Sequence, residues 1–95
     1  MATASSAAES DLVLTVGRLS TNSVGAEQVI SVENRTSMKF SRISVECGFY
    51  AGNKLVGSGA ASIRELRAGT IGHDEVVALH ASDADNVKCR IESSE

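Results

Sequence analysis

Residues 40–50, Phe40-Ser41-Arg42-Ile43-Ser44-Val45-Glu46-Cys47-Gly48-Phe49-Tyr50, decide how the rest of the chain is read. Ile43, Val45, Cys47 and Phe49 fall on one side of an extended chain, and Arg42, Ser44, Glu46 and Tyr50 on the other. Strict alternation over this length is the pattern of a β-strand with one face buried and one in water. The other apolar segments read as its neighbours.

Upstream, Leu12-Val13-Leu14-Thr15-Val16 predicts a strand with Leu12, Leu14 and Val16 on one face. Gly17 to Gly25, rich in small polar residues, reads as its connection to a second strand over Val29–Asn34. In that strand Ile30 and Val32 alternate with Ser31 and Glu33. Asn34-Arg35-Thr36-Ser37 reads as a turn whose short side chains bond their own backbone. The first ten residues, MATASSAAES, read as a disordered leader, without the basic start and apolar middle of an export signal.

Downstream, Ala51-Gly52-Asn53-Lys54 carries a two-residue hairpin signal, with glycine first as a II′ turn requires. That loop pairs Phe49 with Val56 and puts Val56, Ser58 and Ala60 on the core face. A three-residue loop instead puts Leu55, Gly57, Gly59, Ala61 and Ile63 there. A bulge in Gly57-Ser58-Gly59 reconciles the two. Residues 62–68 read as strand or irregular structure in preference to a helix. Arg64–Gly69 leads into a turn, Glu75–Ala81 is the next strand, and Ser82–Asp85 the last turn. Asn86–Glu92 closes the pattern with Val87, Cys89 and Ile91 inward and Lys88, Arg90 and Glu92 outward. Six to seven short strands with turn signals about every ten residues predict an all-β fold, an antiparallel β-sandwich, as a single domain over residues 11–95.

The composition narrows the function classes. A chain of 95 residues buries roughly 60–65% of the surface its unfolded form exposes, so its core is thin. Its three aromatics are Phe40, Phe49 and Tyr50, and Val, Ile, Leu and Ala must supply the rest. A net charge of −3 with singly scattered Lys and Arg argues against nucleic acid as a partner. No apolar run is long enough to span a membrane as a helix. The sequence contains no proline, which leaves its turns to Gly, Asn, Ser and Asp.

Cys47 and Cys89 both sit in predicted strands and should both point inward. They are a buried thiol pair in a reducing compartment and a disulfide across or between strands in an oxidising one. Their separation does not suit a metal site. His73-Asp74-Glu75, and His80 with Asp83 and Asp85, are the two clusters of ionisable groups. The second could offer one nitrogen and two oxygen ligands, but a solvated turn explains it better. Gly57-Ser58-Gly59 lacks the spacing of a nucleophile elbow, and its small residues suit close strand packing. Asn34-Arg35-Thr36 fits the N-glycosylation acceptor pattern but reads as a turn. We expect no catalytic residues, no cofactor and no metal.

Val32-Glu33-Asn34-Arg35-Thr36, the strand from Val45 to Phe49-Tyr50, Lys54-Leu55-Val56-Gly57 and Leu66-Arg67-Ala68-Gly69 together resemble the FxLYD-type family over about residues 28–80. Ala51 stands where the family motif has an Asp after its aromatic pair, and the turn is one residue shorter. The resemblance implies a small immunoglobulin-like sandwich in a secreted, periplasmic or lipoprotein-anchored bacterial protein, with no assigned activity. Export then favours the Cys47–Cys89 disulfide. The expectation is a non-catalytic module that binds another protein or serves envelope structure. Arg42, Glu46, Tyr50, Gly52 and Asn53 form the candidate interaction surface, and edge-strand pairing offers a route to a homodimer. The alternative is an inhibitor or regulator of a secreted enzyme, acting through a loop at Ser20–Gly25 or Ala51–Lys54.

Overall fold

A computed structural model describes residues 11–95; the leader expected at 1–10 lies outside them. The described residues form six strands: β1 (Leu12–Thr21), β2 (Gly25–Asn34), β3 (Phe40–Ala51), β4 (Lys54–Leu66), β5 (Ile71–Leu79) and β6 (Asn86–Ser94). They build two three-stranded antiparallel sheets in the orders β1-β2-β5 and β4-β3-β6. There is no helix among them. The core lies between the sheets, with Ile30, Val32 and Val76 on one side and Ile43, Val45, Cys47 and Phe49 on the other, all fully buried. The alternation over residues 40–50 is therefore the inner and outer face of β3, the central strand of its sheet.

The hairpin after Tyr50 contains both registers that the sequence leaves open. Ala51 pairs with Lys54 and Tyr50 with Leu55 around a two-residue loop, and Gly52 has φ 61°. One residue later the register shifts, so that Phe49 pairs with Gly57 and Val56 is left over. The bulge sits at Val56, one residue before the expected glycine stretch. It hands the inner face to Gly57, Gly59, Ala61 and Ile63 and turns Leu55 out to solvent.

The first connection is shorter than expected. β1 runs on to Thr21 and β2 already begins at Gly25, so the link is residues 22–24 and not Gly17–Gly25. A second bulge, between Val16 and Leu19, lets β1 continue through Gly17. Buried Gln28 supports it, donating from Nε2 to the Arg18 carbonyl (3.2 Å) and the Val29 carbonyl (2.8 Å). Such a local correction is invisible to a hydrophobic pattern, because the alternation simply breaks at that point. Residues 62–66 complete β4, and β5 starts at Ile71 rather than Glu75.

The expected turn at Asn34 holds together both ends of the sandwich base. Asn34 is fully buried, and its Oδ1 accepts from the Thr36 amide (3.0 Å) and hydroxyl (2.6 Å). Its Nδ2 donates to the carbonyls of Met38 (2.8 Å) and Leu66 (3.1 Å). Its own amide and carbonyl bond Thr70 and Gly69. Every polar group of the residue is paired, as burial demands. A glycan on that nitrogen would replace one of its two hydrogens, break one of these bonds and need room in a fully buried site, so the acceptor motif is here a structural turn.

The two long sides of the sandwich differ. Along β4 and β5 the sheets nearly touch: a Cβ on Gly59 would lie 2.6 Å from the Val77 carbonyl oxygen, and one on Gly72 would lie 2.6 Å from Ile63 Cγ2. Glycine is what permits this approach. Along β1 and β6 the facing side chains Leu14, Leu19, Val87, Cys89 and Ile91 are only half-buried, and Val16 is 40% exposed although it shares the inner face. The sandwich is closed on one side and open on the other. Gly59→Ala should cost about 1–3 kcal/mol in chemical denaturation, because the backbone of β5 must move. Ser58→Ala, beside it but exposed, should stay within about 0.5 kcal/mol. Equal, small effects from both would mean that the sheets do not meet at this edge.

Candidate functional site

Among the described residues, β6 lies at the edge of its sheet and pairs with β3 alone. Cys47 and Cys89 stand directly opposite each other in that pairing and form a disulfide, with a Cα–Cα distance of 4.1 Å. The two cysteines thus join neighbouring strands of one sheet on its inner face and do not bridge the two sheets. Directly opposed residues this close belong to the non-hydrogen-bonded positions of an antiparallel ladder. The backbone N–H and C=O of Cys89 consequently point away from β3, and by alternation so do those of Val87 and Ile91. Lys88 and Arg90, opposite Gly48 and Glu46, take the hydrogen-bonded positions.

The outer face of this sheet carries Arg42, Glu46 and Tyr50, as the alternation predicts. Each meets a residue near the chain's end. Arg42 Nη2 lies 3.5 Å from Glu95 Oε2. Glu46 Oε1 accepts from Arg90 Nε (3.1 Å) and Nη2 (2.8 Å). The Tyr50 ring lies against Gly48, where an added Cβ would meet Tyr50 Cε1 at 3.1 Å, and Lys88 Nζ sits 5.1 Å from the ring centroid. Such exposed pairs contribute about 1 kcal/mol or less each. Between Glu46, Tyr50, Leu55, Lys88 and Arg90 lies a shallow cleft of about 330 Å³ floored by Gly48.

Gly52 and Asn53 do not join that cleft; they form the hairpin tip beyond Tyr50. The tip is held by the start of β6. The Gly52 amide donates to both carboxylate oxygens of Asp85 (3.2 Å each), and Asn86 Nδ2 donates to Asp85 Oδ1 (2.6 Å) and to the Gly52 carbonyl (3.1 Å). Asn86, followed by the Gly52 amide, holds the Asp85 carboxyl below its ordinary value. These contacts make Asp85 part of a hairpin clamp. His80 has a left-handed backbone (φ 67°) and donates its amide to the Val24 carbonyl at 2.9 Å. Among the described residues, no three of His, Cys, Asp and Glu come together in a way that could hold a metal ion.

Lys88 and Arg90, outward in the alternation, and the backbone edge of β6 join the site only through the strand order. The alternation 87–92 signals a strand, but only the strand order reveals that one of its edges is unpaired. No family model, curated protein or solved structure matches the chain.

Lowering the pH should loosen the hairpin clamp. A carboxyl whose folded value is depressed favours the native contacts above its unfolded value and loses them as pH falls through the folded value. The Gly52 amide shift should therefore titrate in NMR with a midpoint below the ordinary aspartate value of 3.8, and Asp85→Asn should abolish that titration. A midpoint at or above the ordinary value would contradict the clamp.

Proposed function

We propose that the protein is a non-catalytic, exported β-sandwich module of the immunoglobulin-like kind, which binds another protein by pairing β6 with an extended segment of it. One observation carries this reading: β6 offers a straight edge at Val87, Cys89 and Ile91, beside an apolar seam that β1 leaves half-covered. An unpaired edge is a template for main-chain hydrogen bonds, and half-covered apolar side chains beside it supply specificity.

The other edges are poorer candidates. β1 is broken by a bulge in mid-strand, whereas the bulge of β6 at Glu92 lies past Ile91, and β5 has the backbone of Gly59 packed against it. The inner side chains of β4, Ala61, Ile63 and Leu66, are already buried. The disulfide fits an oxidising compartment, periplasmic or extracellular. The sheet orders β1-β2-β5 and β4-β3-β6, with the chain crossing between sheets three times, support the immunoglobulin-like assignment. Inhibition of a secreted enzyme through a loop has less support, since the links at 22–24 and 52–53 leave little to protrude.

Capture of partners from an envelope extract by the intact chain tests the proposal. Ile91→Pro should abolish specific capture while leaving the fold intact, because the lost N–H faces outward from the sheet. Asn53→Ala, at the hairpin tip, should leave capture unchanged. The opposite pattern would move the binding surface to the loops.

A further inference from the structure

The chemistry of β6 specifies its occupant more narrowly, and this inference rests on the strand-pairing proposal above. Along its regular run, residues 87–91, β6 sends Lys88 and Arg90 to the outer face, both basic, and the acidic Glu92 follows them in the bulge. Lys88 has no carboxylate partner among the described residues, its ammonium resting over Tyr50. Arg90 gives Glu46 only its Nε and one Nη2 contact, which leaves other guanidinium N–H groups free to meet a neighbour. On the inner face the same strand presents Val87, Cys89 and Ile91, half-buried. Beside Ile91 a cleft of about 320 Å³ opens towards β1, lined by Leu12, Ile91, Glu92, Ser93 and Ser94.

A second copy of the chain is a poor match for this edge. The antiparallel self-pairing that uses all three edge-facing residues is centred on Cys89. It sets Lys88 against Arg90 of the other copy, twice. Directly opposed like charges destabilise a sheet. Sliding the register towards Glu92 would relieve this, but the β6 ladder is irregular there: Val45 pairs with Ile91 and Ser44 with Ser93, which leaves Glu92 bulged. The edge therefore disfavours its own sequence.

We propose that the β6 edge accepts an extended strand from another protein in which apolar residues alternate with Asp or Glu. Its apolar residues would lie inward over Val87, Ile91 and the exposed flank of β1 at Val16, with one aliphatic side chain entering the cleft beside Leu12. Its carboxylates would stand opposite Lys88 and Arg90 on the outer face.

Two short capped peptides test this on the intact, oxidised chain: one alternating valine with glutamate, the other valine with lysine. NMR titration and amide hydrogen exchange give the readout. The glutamate peptide should bind about tenfold more tightly at low salt, from two favourable cross-strand pairs against two unfavourable ones. It should slow exchange at Val87, Cys89 and Ile91 but not at Lys88 or Arg90, whose amides already bond β3. Lys88→Glu should reduce the preference to a few-fold or less, and Ile91→Pro should abolish binding of both peptides.

Equal affinity for the two peptides, with protection at the same three amides, would overturn the acidic code and leave strand pairing standing. Protection of those amides in the free chain that rises with its concentration would make a second copy the occupant and overturn the proposal. Protection of the free chain at every concentration would mean that the chain covers its own edge. No perturbation of β6 by either peptide, in a chain whose edge amides exchange freely, would overturn both the code and the strand-pairing reading.

Discussion

The Cys47–Cys89 bond is the constraint on which the arrangement of the open side depends. Among the described residues β6 has one strand neighbour, and its inward side chains are half-buried, so side-chain burial alone holds it weakly. A half-buried Val or Ile contributes only part of the roughly 1.5–3 kcal/mol that full burial would bring. The disulfide closes a loop with a sequence separation of 42 residues, which in the chain-entropy treatment disfavours the unfolded state by about 4 kcal/mol. It also sits at the centre of the regular run of β6 and fixes the register of every pair around it. Which backbone groups face outward follows from that register. In a thin core whose aromatics are Phe40 and Phe49, one covalent link is a large part of what holds β6 in place.

The closed and open sides are two answers to the same shortage of large side chains. On the β4–β5 side, glycine at positions 59 and 72 lets one sheet settle against the backbone and side chains of the other. Little volume then needs filling, and small residues suffice. On the β1–β6 side no such glycines face each other. The sheets diverge, leaving the cleft at Leu12 and Ile91 and the exposed flank at Val16. Asn34 works against further opening at the base, because its four side-chain bonds and two backbone bonds tie the end of β2 to the 35–38 turn, the end of β4 and the link to β5. The asymmetry is built into the packing, and among the described residues it leaves the Val87–Ile91 run of β6 as an edge beside half-covered apolar side chains.

The sequence carries much of this fold at the level of single strands. The inner and outer faces of β3 and β6, the Asn34 turn and the Gly52-Asn53 loop are all legible, because period-two alternation and turn chemistry are local properties. What local pattern cannot carry is the consequence of a bulge. Val16-Gly17-Arg18-Leu19 looks like the end of a strand until Gln28 is seen bonding the Arg18 carbonyl from the next strand. Val56 likewise looks like a core residue of one register or an outward residue of the other, and the bulge makes it the hinge between them. The place of the Cys47–Cys89 bond is not legible for a different reason: two inward cysteines fit a bond within a sheet or between sheets equally well. Of the candidate surface, Arg42, Glu46 and Tyr50 lie outward as read, whereas their ties to Glu95, Arg90 and Lys88 depend on strand order, which no local pattern encodes.

Hydrogen exchange along β6, measured at low chain concentration before and after reduction of the disulfide, tests the central claim most directly. A covalently held edge strand predicts alternation in the oxidised chain: fast exchange at Val87, Cys89 and Ile91, and slow exchange at Lys88 and Arg90. On reduction, protection at Lys88 and Arg90 should fall well before that of Ile30 and Val76 in the opposite sheet. Uniform protection along β6, or protection that reduction leaves untouched, would contradict the account.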